Sequence, residues 1–424
     1  MPDKLHMNGY RCFACAAVQT ADFEGFLCPV CGGNLDILYD YATLSDELAG
    51  GFGDGPRNMF RYRALLPVSE PEPAFPLHIG GTPLYRVARL GRTVGLQQLY
   101  IKDDSVNPSG SLKDRAGAVA FCRAIETGAS VVATASTGNA GSSLACLAAA
   151  LGRRAVVFVP ERAPAAKLTQ LLSYGADVLA VRGNYDDAYD LCMAASEEFG
   201  WFNRSTGYNP FTREGKKTCV FETWEDLGRQ VPDRMVVPTG DGNIISAVWK
   251  GWKDLKAAGL TDRLPKIDCA QSENSQAVCK TVRRLRESGE RAGDWSQLDI
   301  EEVNATTLAD SIAVDRPRDG LAAVRAVIES GGEAVTVSDK QILAAAMEMS
   351  RLTGVFPEPA AAAPWAAVRQ MVSADLIAAD ERVVCLVTGS GLKDAKNAAR
   401  AAGTAQVVEP TLEAVKQALQ GRER

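Results

Sequence analysis

From residue 131 onward, short continuous apolar runs alternate with longer stretches whose apolar residues recur at helical spacing. Residues 131–135, 155–159 and 178–181 read as strands, and 140–151, 164–174 and 185–199 as the helices that follow them. A second set keeps the same rhythm: a strand at 235–238, a helix running through Lys256, then strands at 266–271 and 383–387. Strands that are apolar on both faces and separated by helices predict parallel sheets covered by helices on each side, and two such sets predict two open α/β domains. Ahead of them, 35–41 reads as a short strand and 50–56 as a glycine-rich connection. Sheets of this kind bind ligands just beyond the carboxyl ends of their strands. Three loops lie there: Ser136-Thr-Gly-Asn139, Thr239-Gly-Asp-Gly-Asn243 and Thr388-Gly-Ser-Gly391.

At 424 residues, 46% of them hydrophobic, the chain can form two cores and a small additional module. A formal charge of −6 gives no support to nucleic acid or a membrane surface as the main partner. No run of about 18 apolar residues and no cationic, apolar leader is present, so a cytoplasmic location is expected. The eleven cysteines are an odd number, which argues for reduced thiols. Cys12-x-x-Cys15 and, after twelve residues, Cys28-x-x-Cys31 have the spacing of two knuckles that fold toward one tetrahedral zinc, with Gly32-Gly33 supplying tight backbone. Four thiolates would close the site, which makes the metal structural rather than catalytic. Cys122, Cys146, Cys192, Cys219, Cys269, Cys279 and Cys385 fall mostly in apolar or helical stretches, as small buried hydrophobes do.

Candidate chemistry is densest at Asn107-Pro-Ser-Gly-Ser-Leu-Lys113-Asp-Arg115. Asn-Pro and Ser-Gly interrupt regular structure, Ser111 is placed to cap a helix over 112–127, and Lys113 falls in its first turn. The helix dipole disfavours a cation there. That disadvantage vanishes if the amine is held as a Schiff base beside an anionic cofactor; taken alone, the segment also fits a surface lysine on a capped helix. Ser136, Thr137, Gly138 and Asn139 can bind an anion such as a carboxylate at a helix N-terminus, or simply cap that helix. Gly240-Asp241-Gly242-Asn243-Ile244 lacks the Lys-Ser/Thr ending of a Walker loop and the third glycine of a dinucleotide loop. One phosphate held by amides fits it, provided Asp241 points away, and so does a plain tight turn. A Thr388 hydroxyl could face a ring nitrogen. With only His6 and His78 in the chain, lysine is the better proton carrier.

Together these segments resemble the fold type II family of pyridoxal-phosphate enzymes, in its threonine synthase branch, over nearly the whole chain. The likeness also rests on Tyr39-Asp-Tyr41, Arg61-Tyr-Arg63, Gly80-Gly-Thr-Pro-Leu84, Lys102-Asp-Asp104, Tyr208-Asn-Pro-Phe211, Glu214-Gly-Lys-Lys-Thr218, Ala309-Asp-Ser-Ile312, Glu358-Pro-Ala360 and Thr388 through Lys393, in the family's order. The resemblance implies two open parallel-sheet α/β domains with the cofactor between them and a small N-terminal zinc ribbon. The boundaries expected are a zinc ribbon over 1–41, an arm over 42–98 belonging partly to the large domain, a smaller domain over 99–222 and a larger cofactor-binding domain over 223–424. It implies that Lys113 carries pyridoxal 5′-phosphate, that Gly240, Asp241, Gly242, Asn243 and Ile244 cradle its phosphate, that Asn139 meets its 3′ oxygen and Thr388 its ring nitrogen. Ser136, Thr137 and Gly138 would hold the substrate carboxylate.

The reaction implied converts O-phosphohomoserine and water to threonine and phosphate, with Lys102, Asn209, Arg213, Lys216 and Lys217 as candidate contacts to the substrate phosphate or else as an ordinary solvated face. A homodimer is implied as well. The chain departs from the branch at Gly240-Asp-Gly-Asn-Ile244, where a loop like Gly-Asn-Ala-Gly-Asn is usual, at Leu112 in place of Phe, and at Ala360 to Ala363, where a Ser is expected. Gly-Asp-Gly loops look more like paralogues such as cysteate synthase, so β-replacement on O-phosphoserine is an alternative, and a threonine or serine dehydratase another. A non-catalytic protein retaining the fold has no need of all three loops. A zinc-ribbon nucleic-acid binder would need a basic patch that residues 12–35 lack.

Overall fold

The computed structural model describes residues 6–69, 75–289 and 295–420. The first sheet is antiparallel and built from β1 (Met7–Cys12), β2 (Val18–Thr20) and β3 (Leu35–Tyr39), with β1 in the middle. It carries the cysteine knuckles. Next come β4 (Leu84–Arg86), β5 (Gln98–Asp103), β6 (Val131–Ala135), β7 (Arg154–Pro160), β8 (Asp177–Val181) and β9 (Phe202–Asn203). The chain then forms β10 (Arg234–Pro238), β11 (Lys266–Ser272), β12 (Ala334–Val337) and β13 (Arg382–Val387).

Two open sheets result, in the orders β8-β7-β6-β9 and β12-β11-β10-β13-β5-β4, parallel except where β4 runs against β5. Central strands such as β6, β10 and β13 are apolar because helices cover both of their faces. Residues 98–103, placed by the sequence reading mostly in the smaller domain, instead pair with β13 in the larger sheet. Their run Gln-Leu-Tyr-Ile-Lys-Asp has too weak an apolar signal to be assigned to either sheet from sequence.

Helix Phe211–Asp226 lies between the two halves and is buried from Phe211 through Trp224. Gly215 permits the close approach: a Cβ there would stand 2.0 Å from the Arg115 carbonyl oxygen of helix Lys113–Glu126. The helix nonetheless carries five charged side chains within that stretch, each of which needs a partner.

Those partners account for four residues expected to contact substrate, and correct that expectation. Lys102 Nζ lies 2.7 Å from Glu222 and donates to the Thr82 carbonyl at 2.6 Å. Lys217 is paired with Glu214 and, at 2.5 Å, with Asp254, over the Tyr39 ring. Arg213 forks onto Asp319 with two bonds of 2.7 Å. Asn209 accepts from the Phe211 amide and donates to the Asn203 carbonyl, fixing the start of the helix. None of the four lines a candidate substrate cavity.

Glu222 is the centre of the largest of these networks. It accepts from Arg115 at 2.6 and 2.7 Å and from the Gly81 amide at 2.8 Å, so it ties the arm to both central helices. Burial alone would raise its carboxyl, but the Arg115 and Lys102 charges outweigh burial and hold it well below the usual range. Glu222→Gln would leave Lys102 with only the more distant Asp226, at 3.6 Å, and Arg115 with Asp104 alone, and should cost about 3–5 kcal/mol in urea unfolding. A loss below about 1 kcal/mol, as for an exposed pair, would refute that account.

Candidate active site

The Lys113 segment is folded against the end of β13. Gly110, at φ +83°, reverses the chain, the Leu112 amide donates to the Thr388 carbonyl at 2.9 Å, and Ser111 pairs with Gly389. Ser111 does not cap the helix, contrary to the sequence expectation: Leu112 occupies the cap in helical geometry, and the Ser111 hydroxyl is buried without a partner. The turn is held by Asp114, which accepts from the Ser109 amide at 2.7 Å and its hydroxyl at 2.6 Å.

A cavity of about 50 Å³ opens beyond the strand ends, and all of Lys113, Asn139, Gly240 to Ile244 and Thr388 line it. Four segments far apart in sequence thus meet at one place. Lys113 is half-buried within it. Burial and then the Arg204 charge lower its amine to about 8, against the opposing pull of Asp241 and Glu358.

The loop after β10 turns at Gly242, φ +95°, and leads into helix Asn243–Ala257. A Cβ on Gly242 would meet the Asp319 carbonyl oxygen at 2.6 Å, so glycine is required on both counts. Asp241 turns its Oδ1 onto the Arg318 amide at 2.8 Å, while Oδ2 is buried without a partner. Burial, with the nearby Asp319, raises this carboxyl to about 6.

On the opposite wall, the Ser136 hydroxyl accepts from the Gly138 amide at 3.2 Å, and Thr137 and Gly138 border an outer cleft of about 370 Å³. Asn139 joins the two spaces and donates through Nδ2 to both Glu358 oxygens, at 2.9 and 3.0 Å. Burial pushes the Glu358 carboxyl up. Gly389 makes room for it, since a Cβ would lie 2.6 Å from Glu358 Oε1. At the cleft mouth, Lys167 and Asp310 pair at 2.7 Å, and Lys393 reaches Ser142 at 2.7 Å and Gln170 at 2.5 Å.

Two cations beside this cavity lack a carboxylate partner among the described residues. Arg204 follows β9, is fully buried, and leaves Nε and Nη2 without any partner; burial lowers it to about 10. Lys216 donates only to the Asn243 side chain, and burial followed by the charges of Lys113 and Arg204 drives it well below the usual lysine range. Arg204 and Glu358 escaped the sequence reading as site residues. A charged residue directly after a short strand was the one available signal for Arg204, and Glu358 appeared only within a motif.

The four knuckle thiols lie within 4.8 Å of one another, with neighbouring sulfurs 3.4 to 3.6 Å apart. A tetrahedron of sulfurs at about 2.3 Å from one ion has edges of about 3.8 Å, so the group can close around a metal. Backbone bonds from Gly32 to Cys28 at 2.8 Å and from Cys28 to Gly33 at 2.9 Å shape the second knuckle.

A family model described as pyridoxal-phosphate dependent enzyme matches residues 75–389. The chain is 37% identical over 412 residues to a threonine synthase of Methanocaldococcus jannaschii, covering 96% of this chain and 98% of that one. A threonine synthase of Methanosarcina acetivorans is likewise 37% identical, over 98% of this chain and the whole of its own. Among solved structures, processed threonine deaminase isoform 2 from Solanum lycopersicum superposes with a TM-score of 0.62 at 22% identity, over 76% of this chain and 88% of that chain. Maize serine racemase gives 0.61 at 19%, over 73% and 89%. At that identity the two structures speak for the fold alone.

Proposed function

This chain belongs to the pyridoxal-phosphate-dependent enzymes and is a threonine synthase-like lyase, and from that premise we propose that it converts O-phosphohomoserine and water to threonine and phosphate. The observation that carries the reading is the meeting of Lys113 with three loops in one cavity, beside two buried cations that lack carboxylate partners. That is charge for two phosphates, one on the cofactor and one on the substrate.

The residues fit the cofactor. Lys113 offers an amine brought toward neutrality, as attachment to a carbonyl requires. The amides of Gly240 to Ile244, at the positive end of helix Asn243–Ala257, suit its phosphate, and a bound phosphate would draw a proton onto Lys216, held beside the loop by Asn243. Asn139 is assigned to its 3′ oxygen and Thr388 to its ring nitrogen. When bound, the cofactor delocalises the electron pair left at the substrate α carbon.

Lys113 Nζ would take the α proton of the bound substrate. An amine near 8 is partly neutral at physiological pH, so it can accept that proton and later deliver one at the β carbon. Ser136, Thr137 and Gly138 hold the carboxylate in this assignment, which fixes the amino acid relative to the lysine. Arg204 lines neither cavity, but its buried charge acts on Lys113, and from that distance it offsets the phosphate leaving the γ carbon, the task first expected of Lys102, Asn209, Arg213 and Lys217. On the same reading Cys12, Cys15, Cys28 and Cys31 hold a structural zinc.

The second reading, β-replacement on O-phosphoserine, draws on Asp241, a carboxylate in the phosphate loop that the usual threonine synthase loop lacks. One assay separates them. Cofactor-loaded protein given O-phosphohomoserine should release threonine and phosphate in equal amounts. No product, or phosphate without threonine, would overturn the first reading, and cysteate formed from O-phosphoserine and sulfite would establish the second.

A further inference from the structure

The phosphate loop does not stand alone. Residues Arg318 and Asp319 form a bracket across it: the Arg318 amide donates to Asp241 Oδ1 at 2.8 Å, and the Asp319 amide to the Asp241 carbonyl at 3.0 Å. The Asp319 carboxylate also accepts from Asn243 Nδ2 at 2.9 Å and the Ser246 hydroxyl at 3.0 Å. Its carbonyl packs on the Gly242 position. The bracket is itself held from outside by the cysteine module. Asn34, three residues after Cys31, donates both hydrogens of its amide, one to the Arg318 carbonyl at 2.7 Å and one to Asp319 Oδ1 at 3.0 Å. Arg213, which forks onto Asp319, donates to the Leu35 carbonyl at 2.9 Å and lies over the Phe13 ring at 4.5 Å.

We propose that Asn34 is a positioning residue for cofactor binding: the cysteine module, through Asn34 and the 318–319 bracket, holds the 240–244 loop in its anion-binding shape. Closure of the four thiols on a metal fixes the Cys28–Asn34 turn, so metal occupancy and cofactor affinity are linked quantities. The inference rests on the assignment of the cofactor phosphate to loop 240–244.

Its test compares two probes on cofactor-free, full-length protein, read by visible absorbance: pyridoxal 5′-phosphate and pyridoxal, which lacks the phosphate. Asn34→Ala should weaken binding of the phosphorylated probe about tenfold and leave pyridoxal unchanged, as loss of charge-assisted hydrogen bonds behind the loop implies. Asn34→Asp, which keeps the shape but removes both donors, should lose at least as much for the phosphorylated probe and serves if the alanine variant folds poorly. Removing metal from the parent with a chelator should reproduce the selective loss. Unchanged affinity for both probes, or an equal loss for both, would overturn the proposal. A parent protein that binds the two probes equally would instead refute the phosphate assignment of the loop.

Discussion

Lys113→Met is expected to lose roughly 10³-fold or more in turnover, and at the same time to make the cofactor-free protein more resistant to heat. The two effects have one origin. Burial lowers the amine from its ordinary 10.5 to about 8. The folded protein therefore binds that proton less tightly than the unfolded chain does, which makes the charged lysine a burden of about 3 kcal/mol below pH 8. Stability from this group rises as pH goes from about 8 to 10.5, because only the unfolded chain still holds the proton in that window. Methionine keeps the shape and removes the charge. Melting temperatures should thus rise at pH 7, with the gain over the parent shrinking by pH 10, while the visible absorption of the lysine-bound cofactor disappears. A variant that melts below the parent at pH 7 would contradict the electrostatic account. One that keeps turnover would remove Lys113 from the reaction.

Arg204→Gln is the second large effect. A buried guanidinium with two nitrogens unpartnered costs stability until an anion fills the place. Losing a buried positive charge close to the substrate phosphate should cost about 1–2 kcal/mol of transition-state binding, or roughly 10-fold in kcat/KM. Most of it should appear in KM for O-phosphohomoserine. Affinity for pyridoxal 5′-phosphate should hardly move, since Lys216 rather than Arg204 adjoins the loop assigned to it. The melting temperature without substrate should rise. Equal losses for cofactor and substrate would place Arg204 under the cofactor instead, and no kinetic change would mean that its charge is offset some other way.

What the sequence disclosed and what it withheld follow a physical division. The cysteine spacing is legible because tetrahedral ligation is imposed within short turns. The three loops are legible because parallel strands deliver their ligands at one end, so the break from apolar run to Gly, Ser, Thr or Asn marks the place. The helix Phe211–Asp226 is illegible for the opposite reason. Its Arg213, Lys216 and Lys217 read as a solvated or ligand-binding face, yet Arg213, Glu214, Lys217 and Glu222 are neutralised in pairs or networks that reach residues as distant as Asp319 and Lys102. No local pattern reports such a partner. Ser111 failed as a cap because the chain there is held by β13, and Asn34 carries no sequence signal because its two acceptors lie more than 280 residues away.

The position of β13 has a consequence for how the protein is made. This strand sits between β10 and β5, yet it is the last strand of the larger sheet to be synthesised. At about 5–20 residues per second, the ribosome leaves β5 waiting roughly 15–60 s for its neighbour. Through that interval β5 presents an unsatisfied strand edge, and β10 adds a second once residue 238 is made; such edges are the feature most prone to pair with another molecule. Any chain released early lacks both the strand that joins the sheet and Thr388 just beyond it. Truncated products of translation should therefore be insoluble or degraded rather than partly active, which expression of a chain ending before residue 382 would check by solubility and activity.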